Sequence, residues 1–149
     1  MNTADMQRLM NTTEPFLAYM GFEAVEVGDG MAAVRLPLRR EVTNHAGLAH
    51  GGAQYALGEA TAIAVAATLF PADLPQLDLL TANATIAYQR PARGDITARG
   101  ALSADAVERI RADFGQSESI RFPVTVEIAD ATGMIATTLT VECVARRRR

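Results

Sequence analysis

The sequence predicts an α+β domain in which an antiparallel β-sheet curls around one long central helix. Residues 51–70 form an apolar, alanine-rich segment, which is typical of a helix buried on all sides. Strand-like segments lie before and after it, and those that follow are joined by short connections, which favours antiparallel pairing. Strands on both sides of a single apolar helix indicate one sheet packed around that helix.

The first element is a helical segment at residues 3–20, where methionine, leucine and phenylalanine recur at helical spacing. Thr3 or Asp5 is expected to cap its start, and Gly21 supplies a stop. Pro15 is expected to kink or divide it, because proline removes a backbone donor and clashes with the preceding turn.

The strand segments are recognised by alternation or by short apolar runs bounded by turn residues. They are residues 22–27, 31–38, 80–89, 96–102, 120–128 and 134–144. Residues 39–49 show little periodicity and are predicted to be a loop. A short helix is predicted as an insertion near 104–115, with Ser103 or Asp105 as its cap and Gly115 as its stop.

Composition fits a single domain over residues 1–149, and charge narrows its partners. The net charge is −3, and a predicted disordered arginine tail at 146–149 carries +4, so residues 1–145 carry −3 − 4 = −7. Such an acidic body argues against nucleic-acid binding. Cys143 is the single cysteine, which excludes an internal disulfide, and with only two histidines no metal is expected.

The hydropathy of the chain argues against a membrane protein. Its N-terminus has no apolar signal core, and the longest apolar stretch, 60–70, is too short to span a bilayer. A cytoplasmic location is therefore expected.

The sequence His50-Gly51-Gly52 lies where the central helix begins. A helix N-terminus presents unpaired N–H groups and partial positive charge, and glycine lets a ligand approach the backbone closely. Such an end can bind an anion or stabilise a developing oxyanion.

Glu59 lies inside the same apolar helix, where its helical neighbours offer few polar partners. A buried carboxylate without a partner is costly, so this residue needs either a partner or a functional role. Gly51 and Glu59 are eight positions apart, roughly 12 Å along a helix. One helix cannot place both groups on a single carbonyl carbon, whereas two antiparallel copies can, so we expect a dimer.

These residues together resemble a known family. The motif residues are Asn44, Gly47, His50, Gly51, Gly52, Leu57 and Glu59. Their pattern is similar to that of hotdog-fold acyl-CoA thioesterases of the phenylacetate-pathway (4HBT-like) type. Residues 81–99 resemble the strand–turn–strand that follows the family's helix, and the last two strands resemble its closing hairpin. The insertion near 104–115 departs from the family pattern, which leaves the shape of the substrate pocket open.

The resemblance implies catalytic roles for four residues. Glu59 matches the nucleophile or general base, and Gly51 matches the backbone N–H that polarises the thioester carbonyl. Asn44 matches a polar loop residue that holds substrate or water, and His50 matches the histidine that opens the helix. The implied activity is hydrolysis of an acyl-CoA by a homodimer or a dimer of dimers, with coenzyme A as part of the substrate and no other cofactor.

Further residues are candidates for substrate binding. Arg90, Pro91 and Arg93 lie in the turn where the resemblance places contacts to pantetheine and nucleotide phosphates, and Gly52 adjoins the oxyanion donor. Asn83 alternates onto the strand face opposite Ile86, toward either a pocket or solvent.

Structural roles compete with each assignment. Asn44 is also typical of a turn, and His50 is also typical of a helix cap. Arg90 and Arg93 are also typical of a solvated loop. Two other functions stay open at the level of sequence: an acyl-thioester dehydratase or hydratase, and a non-catalytic hotdog protein that binds acyl-CoA or lipid. The acyl group and the choice between dimer and tetramer are also left open.

Overall fold

The computed structural model describes residues 1–148, and its elements follow the predicted order. The helices are α1 (Thr3–Thr13), α2 (Pro15–Met20), α3 (Gly51–Leu69) and α4 (Ala104–Gly115), with short 3-10 turns at Arg40–Val42 and Leu74–Gln76. The strands are β1 (Glu23–Gly28), β2 (Met31–Leu36), β3 (Leu77–Tyr88), β4 (Ile96–Ala101), β5 (Ser119–Ala129) and β6 (Ile135–Arg147).

The N-terminal helical segment is divided at Pro15, as its sequence predicts, and Gly21 ends α2 in the left-handed conformation with φ 71°. The expected cap was wrong by one or more positions. Asn2 caps α1, because its side chain accepts from the Asp5 N–H at 2.9 Å and the Asp5 carboxylate accepts from the Asn2 N–H at 3.2 Å. This reciprocal pair is a capping box, which satisfies two donors that would otherwise lack partners.

The six strands form one antiparallel sheet in the order β1-β2-β4-β5-β6-β3. The two longest strands, β3 and β6, pair along most of their length. β3 closes one edge of the sheet, and no other strand of residues 1–148 pairs with its outer side. An unpaired edge strand of this length is a template for pairing with another chain.

Helix α3 lies across the inner face of the sheet and contacts every strand. Gly58 explains how closely it approaches, because a Cβ atom at this position would lie 2.6 Å from Cδ2 of Leu139 on β6. Alanines at most other contact positions keep the helix near the sheet, and Leu57 and Val65 are fully buried in the core. The predicted architecture of a sheet around a single helix is confirmed.

The expectation that α3 is buried on all sides was wrong. Five residues at helical spacing remain partly or fully exposed along one stripe: Gly52, Tyr55, Ala56, Glu59 and Ile63. We call this set the α3 stripe. The α3 stripe lies next to β3, because Glu59 accepts a hydrogen bond from Thr81 on that strand. Glu59 is therefore on the side of the molecule where β3 forms the unpaired edge of the sheet.

The arginine-rich C-terminus also differs from expectation. Arg146 and Arg147 belong to β6, and the guanidinium groups of Arg146 and Arg148 bond the Asp78 carboxylate at 2.8 and 2.9 Å. These two hydrogen bonds hold the pKa of Asp78 below its usual range. Arg147 lies over the ring of Phe114 at 4.4 Å, and the expectation for Arg149 lies outside the described residues.

Within the described part of the chain, residues 1–148, no helix is long and apolar enough to cross a membrane.

Candidate active site

The start of α3 leaves the backbone N–H groups of Gly51 and Ala53 without acceptors among residues 1–148. The Nδ1 atom of His50 caps the helix by accepting from the Gly52 N–H at 2.9 Å. In a neutral imidazole this bond places the proton on Nε2, so the exposed side of His50 presents a donor. The Gly51 N–H has no acceptor among residues 1–148. Gly51 thus offers an unpaired N–H at the positive end of the helix.

Tyr88 covers the other side of this helix start. Its hydroxyl donates to the Gly51 carbonyl at 2.9 Å, and its ring lies 3.3 Å from where a Cβ atom of residue 51 would be. The close approach explains why a residue without a side chain occupies position 51. The sequence places Tyr88 on a strand but gives no sign of this contact.

The Glu59 carboxylate is half-buried and held by a residue that sequence reasoning missed. The Thr81 hydroxyl on β3 donates to Oε1 of Glu59 at 2.6 Å. Glu59 forms no ion pair with any residue of the range 1–148, and its Oε2 atom accepts no hydrogen bond there. One carboxylate oxygen is therefore anchored, and the other is available.

A β-bulge explains why Thr81 was missed. Simple alternation groups Ala82 with Ala84 and Ile86, and would point Thr81 away from the helix. The pairing of β3 with β6 shifts register between Thr81 and Asn83, so Thr81 faces α3 together with Ala84 and Ile86. Asn83 is exposed, and its side chain forms no hydrogen bond with another candidate residue in the described range 1–148.

Cys143 lies beneath this pair, opposite Thr81 in the β6 register. Burial, and then the negative charge of Glu59, raise the pKa of its thiol to about 12. The thiol is also 3.8 Å from the Ala62 carbonyl. At neutral pH it is protonated and enclosed, which matches the inert role expected from its apolar surroundings.

The Asn44 side chain is used by its own loop. Its Oδ1 atom accepts from the N–H groups of Ala46 at 2.9 Å and Leu48 at 3.1 Å. Of the two roles open for this residue, the structure shows the turn-forming one. Its amide nitrogen donates to no group of residues 1–148 and so keeps its hydrogen-bonding capacity.

The turn that carries Arg90, Pro91 and Arg93 adjoins the start of α3. The Ala92 carbonyl accepts from the Ala49 N–H at 3.1 Å, which ties the turn to the residue before His50. Both arginine side chains are exposed, and neither forms an ion pair with a residue between 1 and 148. Two unpaired guanidinium groups beside an exposed helix end favour anion binding.

Gln54 fixes the helix start against the sheet and was also missed. Its buried side chain donates to the Ala49 carbonyl at 2.9 Å and accepts from the hydroxyl of Thr137 on β6. Both polar groups of the amide are thereby satisfied inside the core. The sequence did contain a sign of this role, because a glutamine in a mostly apolar helix needs hydrogen-bond partners if it is buried.

The structure thus brings these groups into two clusters on one helix. Gly51, Gly52 and His50 lie at its start beside the arginine turn, and Glu59 with Thr81 lies two turns further along. A separation of roughly 12 Å on one helix keeps the free N–H and the carboxylate apart within one chain.

Comparison with known proteins identifies the fold. A Pseudomonas aeruginosa protein described as a probable thioesterase has a TM-score of 0.84 at 22% identity, over 99% of this chain and 97% of its own. A Chlorobaculum tepidum protein with unknown function has a TM-score of 0.87 at 12% identity, over 98% and 94%. The Escherichia coli PaaI protein of the phenylacetic acid degradation operon has a TM-score of 0.69 at 13% identity, over 99% and 94%.

The predicted hotdog fold, shared with the probable thioesterase and with PaaI, is therefore confirmed. The chain belongs to the DUF4442 family, a domain of unknown function, which it matches over residues 3–144. No curated protein sequence matches it significantly.

Proposed function

We propose that the protein hydrolyses acyl-CoA thioesters in sites shared by two copies of the chain. The observation that carries the proposal is the pair of unsatisfied groups on α3, a free N–H at Gly51 and a free carboxylate oxygen at Glu59. The Gly51 N–H can donate a hydrogen bond to a thioester carbonyl oxygen and stabilise the oxyanion that forms there. The Glu59 carboxylate can act as a general base or as a nucleophile.

The two groups act on one carbonyl when α3 helices of two copies lie antiparallel. The Gly51 N–H of one copy polarises the thioester oxygen, and Glu59 of the other takes a proton from water as the water oxygen attacks the carbonyl carbon. The tetrahedral intermediate collapses with cleavage of the C–S bond, and the proton passes to the departing sulfur. The products are the free acid and coenzyme A. Direct attack by the Glu59 carboxylate, followed by hydrolysis of the anhydride, gives the same products.

The surface around β3 supports a second copy at this place. Its outer edge is unpaired, and Leu80 and Tyr88 on this strand are 44% and 52% exposed. Tyr55 of the α3 stripe is 38% exposed. Pairing of two β3 edges would continue the sheet and cover these side chains.

The structural neighbours support the proposed chemistry in general terms. One is described as a probable thioesterase, and others from Shewanella oneidensis and Bordetella carry thioesterase descriptions. Arg90 and Arg93, exposed and unpaired beside the site, suit the phosphates of coenzyme A.

A hydrolysis assay on Glu59→Gln tests the proposal, because this change keeps the shape of the side chain and removes its basicity. We expect release of free coenzyme A to slow by about 10²–10⁴-fold, the usual contribution of a general base. Glu127→Gln on the exposed face of β5 is the control and should keep wild-type rates. Equal rates for wild type and Glu59→Gln would overturn the assignment. Binding of acyl-CoA without turnover would favour the non-catalytic alternative.

A further inference from the structure

An apolar groove lies along the C-terminal half of α3. It is enclosed by α1 on one side, α3 at its base and the start of β3 on the other side, and has a volume of about 530 Å³. Side chains that line it include Leu9, Met10, Ile63, Ala64, Leu77 and Leu79. This volume falls in the range of cavities that hold small ligands.

The groove lies next to the residues that carry the proposed catalytic carboxylate. Ala60 and Ile63 in its wall follow Glu59 by one and four residues on α3, and Leu79 precedes Thr81 by two residues on β3. From this point the groove runs away from Gly51, toward the end of α3. A chain that starts at a thioester beside Glu59 can therefore enter it directly.

The far end of the groove is charged. Asp78 and Arg148 line it there, and their side chains bond each other at 2.9 Å. An alkyl chain that reached this pair would remove water from both charges, which costs free energy. Ala67 is the last residue of α3 that lines the groove, and the helix advances roughly 12 Å between Glu59 and Ala67. The apolar length is therefore limited.

We infer that this groove binds the hydrocarbon part of the acyl group, and that the substrates are acyl-CoA esters of medium chain length. The inference rests on the proposed function. The wall residues Ala60 and Ile63 follow Glu59 closely on α3, and Leu79 lies two residues before Thr81 on β3, which favours a substrate chain held at Glu59 as the occupant. Met6 and Met10 provide flexible side chains that adapt to different chains.

The substitution Ala64→Leu tests the groove by filling it. We expect the ratio of kcat/KM for decanoyl-CoA to kcat/KM for acetyl-CoA to fall about tenfold or more, because several methylene groups of the longer chain lose their buried site. Ala112→Leu makes the same change on the exposed face of α4 and should leave both substrates unaffected. An unchanged preference between decanoyl-CoA and acetyl-CoA in Ala64→Leu would overturn the inference.

A second variant guards against misfolding, since Ala64 is 4% exposed and a larger side chain there strains the core. Leu9 lies half-buried on the α1 side, so Leu9→Phe narrows the groove with less strain. We expect the same selective loss of decanoyl-CoA hydrolysis. If Leu9→Phe folds and lowers the rates for decanoyl-CoA and acetyl-CoA equally, the groove does not hold the chain.

Binding of non-hydrolysable thioethers separates this inference from the proposed function. We expect S-decyl-CoA to bind wild type at least tenfold more tightly than S-methyl-CoA in calorimetry, and the narrowed variants to lose the difference. If this holds while no acyl-CoA is hydrolysed, the groove stands and the catalytic proposal fails. Equal affinities for the two thioethers, as when a second copy covers the groove, would refute the inference.

Discussion

At the scale of residues, the pair formed by Thr81 and Glu59 determines where the carboxylate points. The bond is 2.6 Å long, and hydrogen bonds to charged groups contribute about 1.5–3 kcal/mol. In Thr81→Val the carboxylate is free to rotate, so we predict a loss of about tenfold or more in kcat with little change in KM. Steady-state kinetics on acyl-CoA would measure it. Thr81→Ser keeps the donor and should restore kcat, and wild-type kcat in Thr81→Val would contradict the positioning role.

This residue also shows the limit of reasoning from sequence. The importance of Glu59 is visible in the sequence, because an acidic residue in an apolar helix is costly without a reason. Its partner is not visible, because a bulge at Ala82 changes which side of β3 faces the helix, and bulges have no local signal here. Asn83 does lie on the face opposite Ile86, as its alternation predicts, and of the two directions left open for it this face is exposed.

Cys143 gives a prediction about pH. Its pKa is raised from 9.0 to about 12, so between these values the folded protein retains a proton that the unfolded chain releases. Stability should therefore fall as pH rises from about 9 toward 12. Cys143→Val, similar in shape, should lack this part of the decline when urea unfolding is measured at several alkaline pH values. Parallel curves for the two proteins would show that the thiol is not shifted.

At the scale of elements, the distance between α3 and β6 depends on Gly58. In Gly58→Ala the new Cβ meets Leu139 at 2.6 Å, so we predict a loss of roughly 1–3 kcal/mol in the free energy of unfolding, typical of overpacking. Urea denaturation would measure it. Gly115→Ala at the end of α4 is the control, because no atom lies within 4 Å of its added Cβ. Adding Leu139→Ala to Gly58→Ala should cost less than the sum of the single changes, and strict additivity would argue against the clash.

The elements themselves were largely predictable, because their apolar periodicity is local. All four helices lie where apolar spacing indicates, although the cap of α1 was assigned wrongly, and α3 differs from 51–70 by one residue. The end of β6 was not predictable. A run of arginines looks like a solvated tail in sequence. Arg146 and Arg148 are held by Asp78, which lies about 70 residues earlier in the chain but on the strand that pairs with β6.

At the scale of the whole molecule, the proposed reaction needs two copies of the chain, because the free N–H of Gly51 and the carboxylate of Glu59 in one chain cannot reach the same carbonyl. This follows from the geometry of one helix, since eight residues separate them by roughly 12 Å. The exposed α3 stripe and the β3 edge adjoin each other, so one contact with a second copy covers both.

Mixing two inactive variants tests this arrangement. Gly51→Pro removes the N–H donor and fits the backbone, because proline suits the first helical position and His50 before it is already extended, with ψ 139°. Gly51→Ala adds the same Cβ near Tyr88 but keeps the donor, and so controls for the contact at 3.3 Å. Gly51→Pro and Glu59→Gln alone should each be nearly inactive.

In a mixed dimer of Gly51→Pro and Glu59→Gln, one site combines both defects and the other combines the intact Gly51 of one chain with the intact Glu59 of its partner. Equal mixing after unfolding and refolding makes half the dimers mixed, so about one quarter of wild-type activity should return. Size-exclusion chromatography with light scattering would verify that dimers form. If the refolded mixture stays as inactive as its parents while dimers are present, the two groups do not share a site, and a shared catalytic centre is refuted.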